Sequence, residues 1–198
     1  QAVATRLAAA QAALGHDVTI LCGEAPQAQD RIAKSTAGIP GFARVHLHTI
    51  APYNRAEHLL GRATRAAARS LIPTTDVFHI HGVWNAVLLT IARRAQAAGL
   101  PYVVVPHGML DPWALGQKKL KKQVALAIGY RAMLERAAFI HALNDDEAAP
   151  IAALGIRAPV RVIPNGVFLG EIDPLPPRDT FSAIHPELRG HPYLLFLS

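Results

Sequence analysis

"GLPYVVVPHGMLDPWAL", residues 99–115, decides how this chain folds. Tyr102 to Val105 is a short run of one aromatic and three β-branched residues without a polar break. That is the pattern of a strand buried on both faces. It stops at Pro106 and is followed at once by His107 and Gly108. A buried strand ending in a histidine and a glycine acquires a meaning only from where its neighbours end.

The neighbours follow from the same reading. Val3, Leu7, Ala10 and Leu14 fall at helical spacing, and Gly15 stops that helix. "DVTILC" (17–22) reads as a strand, 23–43 as a loop, and "RVHLHTI" (44–50) as a strand of period two. "RAEHLLGRATRAAARSLI" (55–72) reads as a helix closed by Pro73, "DVFHIHG" (76–82) as a strand, and "NAVLLTIARRAQAAG" (85–99) as a helix. One long helix or two cover about 112–137, with Pro112 suited to a first turn. Its apolar side is expected to hold Leu120, Val124, Ala127 and Leu134. "AFIHAL" (138–143) is the next strand. "NDDEAAPIAALG" (144–155) is a helix with Asn144 as N-cap and Asp145, Asp146 and Glu147 favouring its positive end. "VRVIP" (160–164) is a strand.

Strands alternating with helices call for an α/β fold: a Rossmann-like parallel sheet with helices on both faces. Right-handed crossovers place all strand C-termini on one edge, and ligands bind in the crevice beyond it. The strand ends read Cys22-Gly23, His81-Gly82, His107-Gly108, Leu143-Asn144 and Asn165-Gly166. His107 therefore marks the rim of a binding crevice. Residues 1–167 form this domain, 168–192 are expected to be a proline-rich linker, and "YLLFLS" (193–198) opens the first strand of a second domain.

Composition narrows the class. With 51% hydrophobic and 17% charged residues in 198, the chain is globular. A formal charge of +6 and a pI near 9.9 favour acidic partners: phosphorylated ligands or an anionic surface. The single cysteine, Cys22, excludes an internal disulfide and a CxxC metal site. Neither GxGxxG after a strand nor GxxxxGK[ST] occurs. Lys118, Lys119, Lys121 and Lys122 fan over one side of the basic helix, a surface fitted to an anionic membrane. Nucleic acid is not expected, because interleaved aromatics and a known nucleic-acid module are absent. His79 and His81 lie two apart on one strand and face the same way. With His107 they frame a competing reading, a metal-dependent hydrolase; the fourth ligand and the second shell of such a site are missing from the sequence pattern. Asp111 precedes Pro112 and is expected to cap the helix there.

"HIHGVW" (79–84), "VPHGMLDPWAL" (105–115), the run from Lys118 to Ile156 and "VRVIPNGV" (160–167) together resemble bacterial family 4 ("group 1") retaining glycosyltransferases of the two-domain GT-B fold. The resemblance implies that this chain is the acceptor-side N-terminal half. It implies transfer of a sugar from an NDP-sugar donor to a glycan or lipid-linked acceptor, with retention and without a metal or other cofactor, in polysaccharide or glycoconjugate assembly. By the same carry-over His107 is the catalytic histidine that reaches the donor sugar. His81, Gly82, Trp84 and Gly108 line the substrate side, and Asn165 and Gly166 form the turn into the second domain. The family's first strand would precede Gln1, and its pyrophosphate-binding Arg and Lys would follow Ser198. Residues 1–198 alone are therefore expected to transfer no sugar, and in practice to behave as a binding fragment. A cytoplasmic location, peripheral on the inner membrane face, is the matching expectation.

Overall fold

The structure, a computed structural model, describes residues 2–24, 28–51, 53–177, 179–192 and 194. It divides into two compact units, Gln1–Asn165 and Gly166–Ser198.

The first unit alternates helix and strand: α1 Ala2–Ala13, β1 Thr19–Gly23, α2 Ala28–Thr36, β2 His46–Ile50, α3 Arg55–Leu60, α4 Arg62–Leu71, β3 Phe78–His81, α5 Ala86–Ala97, β4 Tyr102–Val105, α6 Pro112–Gly116, α7 Lys119–Ala125, α8 Arg131–Glu135, β5 Phe139–Ala142, α9 Asp145–Ala153 and β6 Val160–Val162. All strand pairs are parallel. β1 pairs with β2, and a separate sheet runs β3-β4-β5-β6. β4 is buried along its whole length between β3 and β5. Around it pack Ile80, Val83, Leu110, Met133, Leu134, Ile140 and Ile151. Tyr102 places its hydroxyl in this core by donating to the Met133 carbonyl (2.7 Å) and accepting from Gln96 Nε2 (2.7 Å). The second unit, read as a linker in sequence, carries a short helix α10, Thr180–Ile184, and single helical turns at Leu169–Glu171 and Pro186–Leu188. The strand expected at 193–198 lies outside the described residues, Leu194 excepted.

Three stretches differ from the sequence expectation. The loop at 23–43 contains α2, whose Asp30 in the first turn and Lys34 in the last suit the helix dipole. The helix expected over 112–137 is broken twice. Lys118 adopts a left-handed φ of 52°, and residues 126–130 form a wider turn around Gly129, φ 144°. Arg93 Nη2 donates to the Ile128 carbonyl there (3.0 Å), a group a straight helix would have used internally. The four apolar residues expected on one side of a single helix are divided: Leu134 is buried, while Leu120, Val124 and Ala127 stand exposed.

The third difference is the helix expected over 55–72, which breaks at Gly61 (φ 57°). The break is built from side chains. Asn54 Oδ1 accepts from Glu57 N–H (3.0 Å) and starts α3. The Glu57 carboxylate then accepts from Ala63 N–H, Thr64 N–H (both 2.8 Å) and the Thr64 hydroxyl (2.6 Å), which caps α4. Glu57 is buried and Thr64 fully so. Glu57→Ala strands these donors away from water and is expected to cost about 3 kcal/mol. Urea unfolding checks this: the midpoint should fall with an unchanged slope, and a midpoint equal to the parent's would show that water replaces the carboxylate freely.

Candidate functional site

β3, β4 and β5 deliver four histidines to one region. His79 and His81 come from β3, His107 from just beyond β4, and His141 from β5. His81 Nδ1 lies 3.0 Å from His107 Nε2, and His141 Nδ1 lies 3.3 Å from His79 Nε2. The rings of His79 and His81 are 4.6 Å apart, centre to centre.

Hydrogen-bond logic assigns part of the protonation. His141 Nε2 sits 2.7 Å from the Ile163 carbonyl, which only accepts, so Nε2 carries the hydrogen. In neutral His141 the Nδ1 is then bare and accepts from His79 Nε2–H. Each ring pair needs one donor and one acceptor and holds at most one positive charge. Burial, then the neighbouring rings, pushes His79 down from its ordinary 6.5 to about 4 and His81 to about 3. Burial also lowers His107, against an opposing pull from the Glu147 carboxylate. His79 and His81 are therefore neutral at pH 7. His141 gave no signal in the sequence reading because it looked like an ordinary strand residue.

Past β4 the chain turns sharply. His107 and Gly108 both take left-handed conformations (φ 53° and 71°), and Met109 N–H donates back to the Pro106 carbonyl (3.2 Å). Two positive φ values in sequence make a type I′ turn. A left-handed histidine costs on the order of 1 kcal/mol or more, a strain that persists only where the surroundings enforce it. The enforcing group is Glu147 at the start of α9. Its carboxylate accepts from Gly108 N–H (2.6 Å) and Leu143 N–H (2.7 Å), while Asn144 Oδ1 accepts from Glu147 N–H (2.8 Å). Glu147 is 6% exposed. In sequence Glu147 reads only as a charge that favours the positive end of the helix. The Asn-x-x-Glu spacing was the available signal, since it is that of a capping box.

The other expected site residues are placed as follows. Gly82 (φ 104°) donates to the Val105 carbonyl (2.8 Å), tying the ends of β3 and β4 together. Trp84 Nε1 donates to the Met109 carbonyl (3.2 Å), and its ring packs against Tyr130. The ammonium of Lys122 lies 5.5 Å above the Trp84 ring and also donates to the Ala114 carbonyl, whereas Lys118, Lys119 and Lys121 are exposed. His81, Gly82, Trp84, His107 and Gly108 thus form one continuous rim. Asn165 and Gly166 are exposed and stand where the two units divide. Asp111 occupies the N-cap position of α6, but its side chain makes no capping bond. Its Oδ1 is buried and unpaired. Among the described residues no three His, Cys, Asp or Glu side chains are arranged to hold a metal ion.

Residues 1–166 match the family described as the glycosyl transferase 4-like domain. Among solved structures, the chain is similar to HepE of Anabaena, crystallised with UDP and glucose. The two share 21% identity at a TM-score of 0.57, over 94% of this chain and 46% of HepE, so the chain spans about half of that protein's length. The likeness agrees with the Rossmann-like parallel architecture of a GT-B domain. No curated protein matches the chain.

The neutral histidines make stability depend on acid. Unfolded, His79 and His81 bind protons near pH 6.5; folded, they do so only near 4 and 3. Between those limits the unfolded state holds more protons, so stability is complete above about pH 6.5 and falls as the pH drops. Paired urea titrations of parent and His79→Gln test this. The parent should lose stability more steeply between pH 6.5 and 4 than the variant, and identical slopes would locate the acid sensitivity elsewhere.

Proposed function

The chain belongs to the glycosyl transferase 4-like family, and from that premise we propose that the whole protein transfers a sugar from an NDP-sugar to a glycan or lipid-linked acceptor with retention, this chain being its acceptor-side domain. The observation that carries the reading is His107, held in a left-handed turn beyond the C-terminal edge of the sheet. That edge is where open α/β sheets take their ligands. HepE was crystallised with UDP and glucose, which makes UDP-sugars the first donors to test.

His107 does its work through Nδ1. Nε2 faces His81, and Nδ1 has no partner among the described residues. Donation from Nδ1 to a sugar hydroxyl, or to charge developing on the leaving group, requires that Nε2 accept from His81 Nδ1–H. His81 thereby sets the tautomer of the catalytic ring. Gly82, Trp84 and Gly108 shape the acceptor side beside it, while Asn165 and Gly166 lead toward the donor side. The reading assigns no metal or other cofactor: His79, His81 and His107 are spent on one another and on His141 rather than converging on an ion. Among the described residues no group of three His, Cys, Asp or Glu is arranged to hold a metal ion, which makes a metal-dependent hydrolase built on those three the weaker reading.

The exposed side of α6 and α7 supports a place on the inner face of a membrane, in polysaccharide or glycoconjugate assembly. No helix among the described residues is long and apolar enough to cross a membrane. Trp113, Leu120, Val124 and Ile128 are all more than half exposed, beside Lys118, Lys119 and Lys121. Apolar side chains flanked by lysines suit the boundary of an anionic bilayer.

Two measurements follow. In the full-length protein His107→Ala should lower kcat about 100- to 1000-fold, because one donor to developing charge is worth about 3 to 4 kcal/mol. The melting temperature should move little, and near-parental kcat would make the histidine structural. In co-sedimentation with anionic vesicles, changing Lys118, Lys119 and Lys121 together to Gln should abolish a salt-sensitive binding. Changing Lys122 alone should leave it, since Lys122 is engaged by Trp84 and Ala114. Binding unaltered by the triple change would remove this surface from the reading.

A further inference from the structure

We propose that Glu147 is a positioning residue for His107, acting through the backbone of Gly108. The inference rests on the glycosyltransferase reading for its kinetic part and on geometry alone for the rest. One buried carboxylate accepts from Gly108 N–H just past β4 and from Leu143 N–H just past β5. It therefore fixes two neighbouring strand ends to the first turn of α9, and the tie to Gly108 holds the turn that aims His107. The ring sits 3.0 Å from His81 only while that left-handed turn is kept. Gly108 cannot serve alone, because glycine is free to leave the left-handed region. A Cβ at Gly108 would also stand 3.2 Å from Asp111 Oδ2, so the turn is closed on its other side as well. Removing the carboxylate releases the Gly108 amide, lets the imidazole swing, and costs catalysis without removing any group that touches substrate.

Glu147→Gln keeps the volume but turns an amide donor toward one of the two N–H groups, so one bond is lost. Glu147→Asp is too short to reach both amides and serves as the second variant should Gln fold poorly. A displacement of about 1 Å commonly costs about 100-fold, so kcat should fall about 10- to 100-fold with KM for the acceptor little changed. His107→Ala and the double variant His107→Ala/Glu147→Gln should be equally slow, because the carboxylate has nothing left to aim. Glu57→Gln, a like change in the other buried carboxylate clamp, should lower stability and leave kcat alone. Full additivity in the double variant, or an equal loss of kcat in Glu57→Gln, overturns the proposal. The geometric part has its own readout: amide exchange at Gly108 and the imidazole resonances of His107, followed by NMR in parent and Glu147→Gln. Faster exchange and a shifted His107 signal support the tie, and unchanged spectra overturn it. If the parent transfers sugar from no NDP-sugar, the functional reading fails, while the NMR comparison still decides whether Glu147 holds the turn.

Discussion

β4 is buried on every side, and that constraint organises the first unit. A strand of Tyr and three Val residues carries no polar side chain into the solvent at either face, so its only opening to chemistry is its C-terminal end. There Pro106 removes an amide that would have continued the ladder, and the next two residues reverse the chain in left-handed conformations. The reversal needs an acceptor for the Gly108 amide in a region already closed by Leu110 and Pro106, both fully buried. An unmet amide there would cost more than the strained turn itself. A carboxylate from the next helix meets that need. The rim is thus a consequence of finishing a buried strand inside the protein rather than at its surface.

The same economy appears where α3 meets α4. Glu57 and Glu147 are both buried, both accept from two backbone amides, and both follow an asparagine cap by three residues. In each case the asparagine starts a helix and the glutamate closes a break in the chain near it. A charged acceptor binds amides about twice as strongly as a neutral one, which is why glutamate rather than glutamine suits these positions. One of the two clamps joins α3 to α4 and the other holds the turn of His107, so the device is structural in origin and functional only by place.

These facts explain what the sequence revealed and what it hid. The strand cores, the parallel order and the rim at His81, Gly82, Trp84, His107 and Gly108 were legible because hydrophobic runs and glycines report backbone directly. The breaks at Gly61, Lys118 and Gly129 were not. A helical wheel assumes one continuous axis, and Lys118 gives no warning that it turns left-handed. Along the broken path Leu120 and Val124 stand exposed while Leu134 is buried, a division that one continuous wheel does not make. His141 and Glu147 were hidden for another reason. Their importance lies in partners 62 and 39 residues away in the chain, His79 and Gly108. No local pattern records such a contact.

The histidines and Glu147 pull on His107 in opposite senses. Burial favours the neutral ring, while the nearby carboxylate favours the charged one, and burial prevails. A neutral imidazole has one donor and one acceptor, so its use depends on which nitrogen holds the hydrogen. His81 at 3.0 Å constrains that choice, and its own pKa, pushed to about 3, keeps it from adding a charge. Were the ring cationic instead, both nitrogens would donate and the tautomer would carry no information. Burying the cluster costs stability in acid, and in return it leaves His107 with a defined direction of hydrogen bonding at neutral pH.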